Sequence, residues 1–390
     1  MMTKNVNLTS LEKIITRYVK ATYLPERFRS RARTPDFTSQ DVRFFLSGVV
    51  ELSESFTSER ADLSKNYFSR KEYRSAYLLY FFLTNVAKVW HCLAELDQLG
   101  QLPTADDVGI LDVGAGQGTV AIACAQYFAE HHPSTKLTIH AVEQNREALT
   151  DAKNLFSKLS TDKHRLTTIE GHLTARSAAK VLRDKKFDLI FAANVLNELR
   201  SAEDQYALCK ELLHHCTIAP LHGSLIIIDP ALQRTTRNLM EVRDLLLERR
   251  DAQVIAPCLH QQTCPMRAAN KRDWCHFYLE WECPKVIRDI DREIGNRHDY
   301  LKMAYYILQS GAAAAPLLVK AEQRLYRIVS SPMGTKGKTE ILLCGDQGEL
   351  KRMTEFDKNR DTKQLPFHGV KRGDIVTEGF DHIITFQDKD

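Results

Sequence analysis

No apolar run in this 390-residue chain approaches the ~20 residues needed to span a bilayer, and no signal-peptide core is visible. A membrane protein and a secreted disulfide scaffold are therefore both disfavoured. Internal repeats and long low-complexity tracts are missing too, so a repeat array is excluded. The nine cysteines never take the paired C-x2–4-C spacing of zinc fingers and ribbons. Without a secretory signal they imply a reducing compartment, where clustered thiols more often bind metal than pair. A bacterial cytoplasm is expected, with the mitochondrial matrix as the alternative. An acid-poor presequence is also wanting, because Glu12 and Glu26 interrupt the basic N-terminus. A monomer is expected.

Net charge is small, +4, but unevenly placed. Residues 1–33 carry eight cations (Lys4, Lys13, Arg17, Lys20, Arg27, Arg29, Arg31, Arg33) against Glu12 and Glu26. Such an arm suits an anionic partner such as RNA; a solvated helix face is the alternative. Residues 8–30 and 40–100 read as helical, giving an N-terminal helical region over 1–103. From Val108, strands and helices alternate: strands at 108–113, 137–142, 165–169, 187–192 and 224–228, helices at 119–129, 146–159, 203–214 and 237–250. That alternation predicts an α/β fold with a parallel, doubly wound sheet over 104–316. Asp289–Ser310 reads as a helix before the small-residue stretch Gly311–Pro316, and 317–390 as a small β-rich domain.

Ile110-Leu-Asp-Val-Gly-Ala-Gly-Gln-Gly-Thr119 puts Gly114, Gly116 and Gly118 at the first strand-to-helix turn. There the backbone can approach a ligand closely and present helix N–H groups to it. Glu143, ending the second strand, can accept from both hydroxyls of a ribose. The form is G-x-G-x-G preceded by Asp112, not the G-x-G-x-x-G of dinucleotide-binding proteins. It resembles class I S-adenosylmethionine-dependent methyltransferases. Phe187-Asp-Leu-Ile-Phe-Ala-Ala-Asn-Val-Leu-Asn-Glu-Leu199 adds to that resemblance, with Asn194 facing the methyl donor and Glu170 near the adenine. A Rossmann fold for another nucleotide is the alternative. The Asn/Asp-Pro-Pro-aromatic motif of base-amine methylation is replaced by Asn194-Val-Leu-Asn197, and no cysteine nucleophile stands there. No catalytic residue can be assigned. Glu198 reads as an acidic residue at a helix N-terminus.

The segment 256–283 holds Cys258, Cys264 and Cys275 within 18 residues of polar, proline-punctuated sequence. Structural cysteines are usually scattered singly, as Cys92, Cys124 and Cys209 are here. Irregular spacing of this kind suits an iron–sulfur cluster, which needs four thiolates in space but no fixed loop length. Two cysteines compete for the fourth position. Cys283 ends an alternating run that would span roughly 26 Å as a strand, too far to meet Cys275 at one cluster. Cys344, where a strand opens into a Gly turn, is the better candidate. A Cys3His zinc site with His260 or His276, and unliganded thiols, stay open.

Together DVGAGQGT, NVLNEL, PCLHQQTCP, DWCHF and LLCGDQG resemble the Rsm-type family of small-ribosomal-subunit methyltransferase-like proteins, from about residue 40 to about 375. That family includes the mitochondrial small-subunit assembly factor and its bacterial relatives. The resemblance implies S-adenosylmethionine at Asp112, Gly114, Gly116, Gly118 and Glu143, and a [4Fe–4S] cluster on Cys258, Cys264, Cys275 and Cys344. It also implies binding of small-subunit rRNA and the immature small subunit, with Lys336, Lys338, Lys351, Arg352, Lys371 and Arg372 of the tail assisting. At Lys371-Arg-Gly-Asp374 relatives often have Trp-Gly-Asp, so an aromatic contact is lost. Three functions remain: an assembly factor without turnover, an active rRNA methyltransferase (EC 2.1.1.-), or a methyltransferase for a small molecule or protein with a structural zinc.

Overall fold

Asp107–Val113 (β1) is apolar on both faces and is covered on both: Val108 and Ile110 belong to one core, Leu111 and Val113 to the other. A strand so covered can only sit inside a layered α/β sheet. The computed structural model describes residues 8–28, 30, 34, 36–57, 67–217, 223–310, 323–359, 366–380 and 383–384. Lys4, Arg29, Arg31 and Arg33 of the basic arm, and the 311–316 stretch, lie outside these.

The helical region comprises α1 (Leu8–Tyr23), α2 (Ser39–Thr57), α3 (Lys71–Ala76) and α4 (Phe82–Gln98), the last two joined by a π-turn at Tyr77–Phe81. After β1 come α5 (Thr119–His131), β2 (Lys136–Glu143), α6 (Arg146–Leu159), β3 (Arg165–Glu170), α7 (Ala175–Leu182), β4 (Leu189–Ala193), α8 (Ala202–His214) and β5 (Ser224–Asp229). Then follow α9 (Gln233–Glu248), β6 (Ala252–Ala256), α10 (Pro265–Ala269), β7 (Phe277–Glu280), α11 (Lys285–Ile294) and β8 (Tyr300–Ser310). Strand order is β3-β2-β1-β4-β5-β8-β6, with β7 paired to β8. The neighbouring pairs among β1–β5 are parallel; β8 runs antiparallel between β5 and β6. This order, with the last long strand inserted antiparallel, is the class I methyltransferase arrangement. α1, α2, α4, α5 and α11 contribute to the core on one face, and α7, α8 and α9 to the core on the other.

A second, antiparallel sheet gathers β9 (Leu325–Ile328), β10 (Met333–Thr335), β11 (Lys338–Gly345), β12 (Leu350–Phe356), β13 (Ile375–Thr377) and β14 (Ile383–Ile384). It has its own small core of Tyr326, Ile328, Ile341, Leu343 and Val376. Against the core sheet lies a fourth cluster, Met240, Cys264, Met266 and Val329, on which Cys275 and Cys344 pack.

Four expectations need correction. Asp289–Ser310 is not one helix: α11 stops at Gly295, whose φ of +72° terminates it, and the rest is β8. The sheet is mixed, not wholly parallel. Glu198 belongs to a 3-10 turn (Leu196–Glu198), while Ser201 caps α8. Finally, Lys20 is no arm cation for phosphate. It is fully buried, 3.4 Å from Asp41, and donates to Thr34 and the Asp36 carbonyl.

Candidate functional site: a nucleotide cleft and a four-cysteine neighbourhood

The turn after β1 works because its glycines do. Gly114 and Gly118 have φ of +66° and +82°, and a Cβ would stand 2.7 Å from Val195 Cγ2 and 2.9 Å from Ala152 Cβ respectively. Only glycine accepts both the backbone angle and the crowding. Asp112, at the carboxyl end of β1, is buried with Oδ2 lacking a partner among the described residues. Burial, then the neighbouring Glu143, push its carboxyl well above the usual range; the Ala121 backbone N–H opposes this. Glu143 accepts the Gly116 N–H at 3.1 Å and the Asn145 N–H at 2.8 Å. It therefore shapes the glycine loop, and its remaining lone pairs can still accept two hydroxyls. Burial raises its carboxyl pKa and those backbone donors lower it.

Beside this loop opens a small cleft lined by Asp112, Gly114, Asn194 and Ile228 among others. Asn194 holds φ of +58° and donates its N–H to the Ile228 carbonyl at 2.7 Å, which turns the chain sharply after β4. Glu170 stands beside Glu143 in the β2–β3 register but is exposed and outside the cleft lining.

Several residues that sequence reasoning missed surround the cleft. Tyr77, in the π-turn, lines it, with its hydroxyl 3.3 Å from Thr119 Oγ1 and accepting from Asn85 at 3.2 Å. Phe68 lies against Gly116, where an added Cβ would meet its Cε2 at 3.0 Å. Tyr67 packs on Phe68 with ring centroids 4.3 Å apart, and burial, then Glu198, Tyr77 and Glu143, push its phenol far up. Lys88 donates to Asn85 Oδ1 at 3.3 Å, and burial lowers its pKa to about 8. Asp229, at the end of β5, is buried and likewise pushed well up. In sequence these aromatics sit inside a helical periodicity and read as core.

The second locus joins chain segments far apart. Cys258 follows β6, Cys264 is the N-cap of α10, Cys275 precedes β7, and Cys344 lies on β11 of the tail sheet. The four feel one another. Burial, then Cys258, push the Cys264 thiol up to about 11. Burial, then Cys264 and Cys258, raise Cys275. Burial, then Cys258, Cys275 and Cys264, raise Cys344. His260 Nε2 lies 3.5 Å from Cys344 Sγ. Cys283 is elsewhere, beside Asp291, Arg288 and Glu12. Three guanidinium groups approach the cysteines. Arg243 and Arg327 both feel Cys258, and Arg372 feels Cys275. Each has a buried Nε without a partner among the described residues. Among those residues, no three His, Cys, Asp or Glu converge closely enough to hold a single metal ion. Arg372 sits over the Tyr278 ring at 5.3 Å and donates to the His276 carbonyl, so a cation–π contact stands where the aromatic was expected.

The tail cations are largely engaged locally: Lys338 and Arg352 with Glu340, Lys351 over Tyr326, Lys371 with Glu280. No helix among the described residues is long and apolar enough to cross a membrane.

The profile of a family described as "Mitochondrial small ribosomal subunit Rsm22" matches residues 71–371. No curated protein matches the sequence. Among solved structures, a putative class I S-adenosylmethionine-dependent methyltransferase from Listeria monocytogenes is 10% identical with a TM-score of 0.39, over 80% of this chain and 83% of that one. A putative RNA methyltransferase from Pyrococcus horikoshii is 9% identical, TM-score 0.36, over 70% and 98%. An rRNA methylase from Streptococcus thermophilus is 10% identical, TM-score 0.32, over 56% and 94%.

Proposed function

The chain belongs to the Rsm22 mitochondrial small ribosomal subunit family, and from that premise we propose that it binds S-adenosylmethionine and a [4Fe–4S] cluster and acts on small-subunit rRNA during assembly. What supports the reading is the packing of Cys264, Cys275 and Cys344 of the tail sheet at one apolar cluster, with the buried Nε atoms of Arg243, Arg327 and Arg372 left without partners among the described residues. A cubane with four thiolates is a net dianion, and buried cations with spare N–H groups suit it. A mononuclear zinc needs its donors within about 4 Å of one another, given ~2.3 Å tetrahedral bonds. Three such donors do not gather that closely among the described residues, and a Cys3His zinc site with His260 or His276 stays the alternative.

S-adenosylmethionine would supply an electrophilic methyl group. Glu143 would accept the ribose hydroxyls, the glycine loop would admit the ligand's backbone-hugging portion, and Asn194 would border the methyl side. Asp112, with a spare buried oxygen, would face a cationic ligand favourably. The turn Asn194-Val-Leu-Asn197 lacks the proline-held carbonyl that grips a base amine, which disfavours base-amine methylation and leaves assembly without turnover and another rRNA methylation as the two readings. Domain limits are proposed at 1–103, 104–316 and 317–390.

The test is anaerobic purification with visible absorption, iron, sulfide and zinc analysis, and calorimetric titration of S-adenosylmethionine. Four irons and four sulfides per chain, lost in Cys258→Ser or Cys344→Ser, are expected, together with saturable binding that Gly114→Val abolishes. A colourless chain with one zinc would overturn the cluster, and one without saturable binding would overturn the nucleotide site. Small-subunit rRNA with an unchanged methylation pattern in cells lacking the chain supports assembly without turnover.

A further inference from the structure

The DWCHF segment holds more than its cysteine. Its residues alternate: Phe277 and Leu279 oppose Met303 and Leu301 on the inner face of the β7–β8 ribbon, so Tyr278 opposite Lys302 and Glu280 opposite Tyr300 face outward. Along the ribbon the rings form a series, buried at His276 and opening outward through Tyr278 to Tyr300. His276 stacks on Trp274 with centroids 5.4 Å apart and planes 23° apart. His276 meets Tyr278 at 5.4 Å, and Tyr278 meets Tyr300 at 6.4 Å with planes at 33°. Tyr300 is 52% exposed, an unusual position for so large a ring. Cations accompany the rings: Lys302 Nζ and Arg372 Cζ each lie 5.3 Å from the Tyr278 centroid. Lys371 bonds Glu280 at 2.7 Å, and the acidic Asp273 and Asp299 are exposed at the margins.

The ribbon is also well located. Ala304 pairs with Asp229, the last residue of β5, so residues 300–303 run beyond the carboxyl edge of the sheet, the edge on which the cleft opens.

We infer that the outer face of the β7–β8 ribbon is a stacking platform for single-stranded RNA, with Tyr300 as its open ring and Lys302 as its phosphate contact. Alternating aromatic faces and cations take up unpaired bases regardless of sequence, whereas a paired helix offers no free base face. The inference rests on the rRNA reading above and gives that reading a surface, distinct from the N-terminal arm.

The test is fluorescence anisotropy of the full chain with a labelled, unstructured single-stranded RNA and with a blunt RNA duplex of equal length. Tyr300→Ser should weaken single-strand binding about tenfold, the loss of one stacked base, and leave duplex binding unchanged. Tyr300→Trp should retain it. Lys302→Gln should flatten the logarithmic salt dependence by about 0.7. Equal affinity of Tyr300→Ser and wild type for the single strand would overturn the platform, as would an equal loss for both RNAs. So would crosslinking of this face in cells to protein and not RNA. Co-sedimentation with small subunits separates the two readings. A wild-type chain that needs Tyr300 for single-strand binding but never co-sediments keeps the platform and loses the ribosomal role. A chain that co-sediments equally well as Tyr300→Ser, with no single-strand defect, does the reverse.

Discussion

Lys88 is a cation held at a loss. Its partner is the neutral Asn85 carbonyl oxygen, and burial lowers its pKa from 10.5 to about 8. The sign follows from linkage. Between pH 8 and 10.5 the unfolded chain keeps the proton that the folded one releases, so stability rises with pH across that window. Below pH 8 the folded chain carries the charge in a poorly solvated place, and the penalty is full. Lys88→Met should therefore raise thermal stability at pH 7 by up to about 3 kcal/mol, with the gain fading toward pH 10.5. Melting curves at both pH values check this. A residue kept at such a cost next to Asn85 and Val89 of the cleft lining is explained if it meets an anion on binding. The same variant should then bind S-adenosylmethionine or RNA more weakly while being the more stable protein. Tyr67, Phe68 and Tyr77 follow the same pattern: residues that look like core prove to border the cleft.

At the scale of elements, one carboxylate joins the N-terminal helix to the glycine loop. Asp151 on α6 accepts from Tyr18 of α1 at 2.6 Å, Tyr23 at 2.5 Å and Gln117 of the loop at 2.8 Å, with Arg74 Nε at 3.7 Å. Asp151→Asn keeps the shape but removes the charge and turns an acceptor into a donor. It should destabilise the chain by about 2–4 kcal/mol and weaken S-adenosylmethionine binding, since Gln117 lies between two of the loop glycines. Urea unfolding and calorimetry read the two effects separately. Elements of this kind were legible to differing degrees. Arg146–Leu159 shows clean helical periodicity and is α6 over those residues. Tyr300–Ser310 misleads because β8 is buried on both faces through most of its length, so its apolar run carries no alternation and mimics a helical spacing. β6 is five buried residues, too short to announce itself against the cysteine segment. The glycine turn and Glu143 were readable as local chemistry. The aromatic border was not, because long-range packing, not spacing, brings Tyr67 and Phe68 to the loop. The approach of Cys344 to the Cys264 and Cys275 segment is likewise tertiary, since the tail sheet brings it there across about 70 residues of chain.

Over the whole molecule, besides Lys371–Glu280 and Arg372–His276, two further links join the tail sheet to the rest. One is ionic: Arg327 of β9 donates to Glu95 of α4 at 3.1 Å, and Tyr305 of β8 donates to the same carboxylate at 2.5 Å, all three buried. This links the helical region, the core sheet and the tail through one carboxylate. The other is the cysteine neighbourhood, with three thiols on the core and one on the tail. Their contributions can be separated. Glu95→Gln leaves a buried guanidinium without its counterion, which should lower stability by about 3–5 kcal/mol without affecting metal content. Cys344→Ser is nearly isosteric, and without a bound cluster it should change stability little. If a cluster bridges the two sheets, the same substitution removes a ligand and part of the metal's binding free energy, which is folding free energy. The expected outcome is loss of iron, a melting temperature lower by several degrees, and protease cleavage between the sheets. Small-subunit association should fall with it, because the β7–β8 ribbon and the tail must stay fixed relative to each other for Arg372 to remain over Tyr278. Unchanged melting and rRNA affinity in Cys344→Ser would show that the thiols do not staple the sheets, and would leave that work to Glu95–Arg327 and the Lys371 and Arg372 contacts with Glu280 and His276.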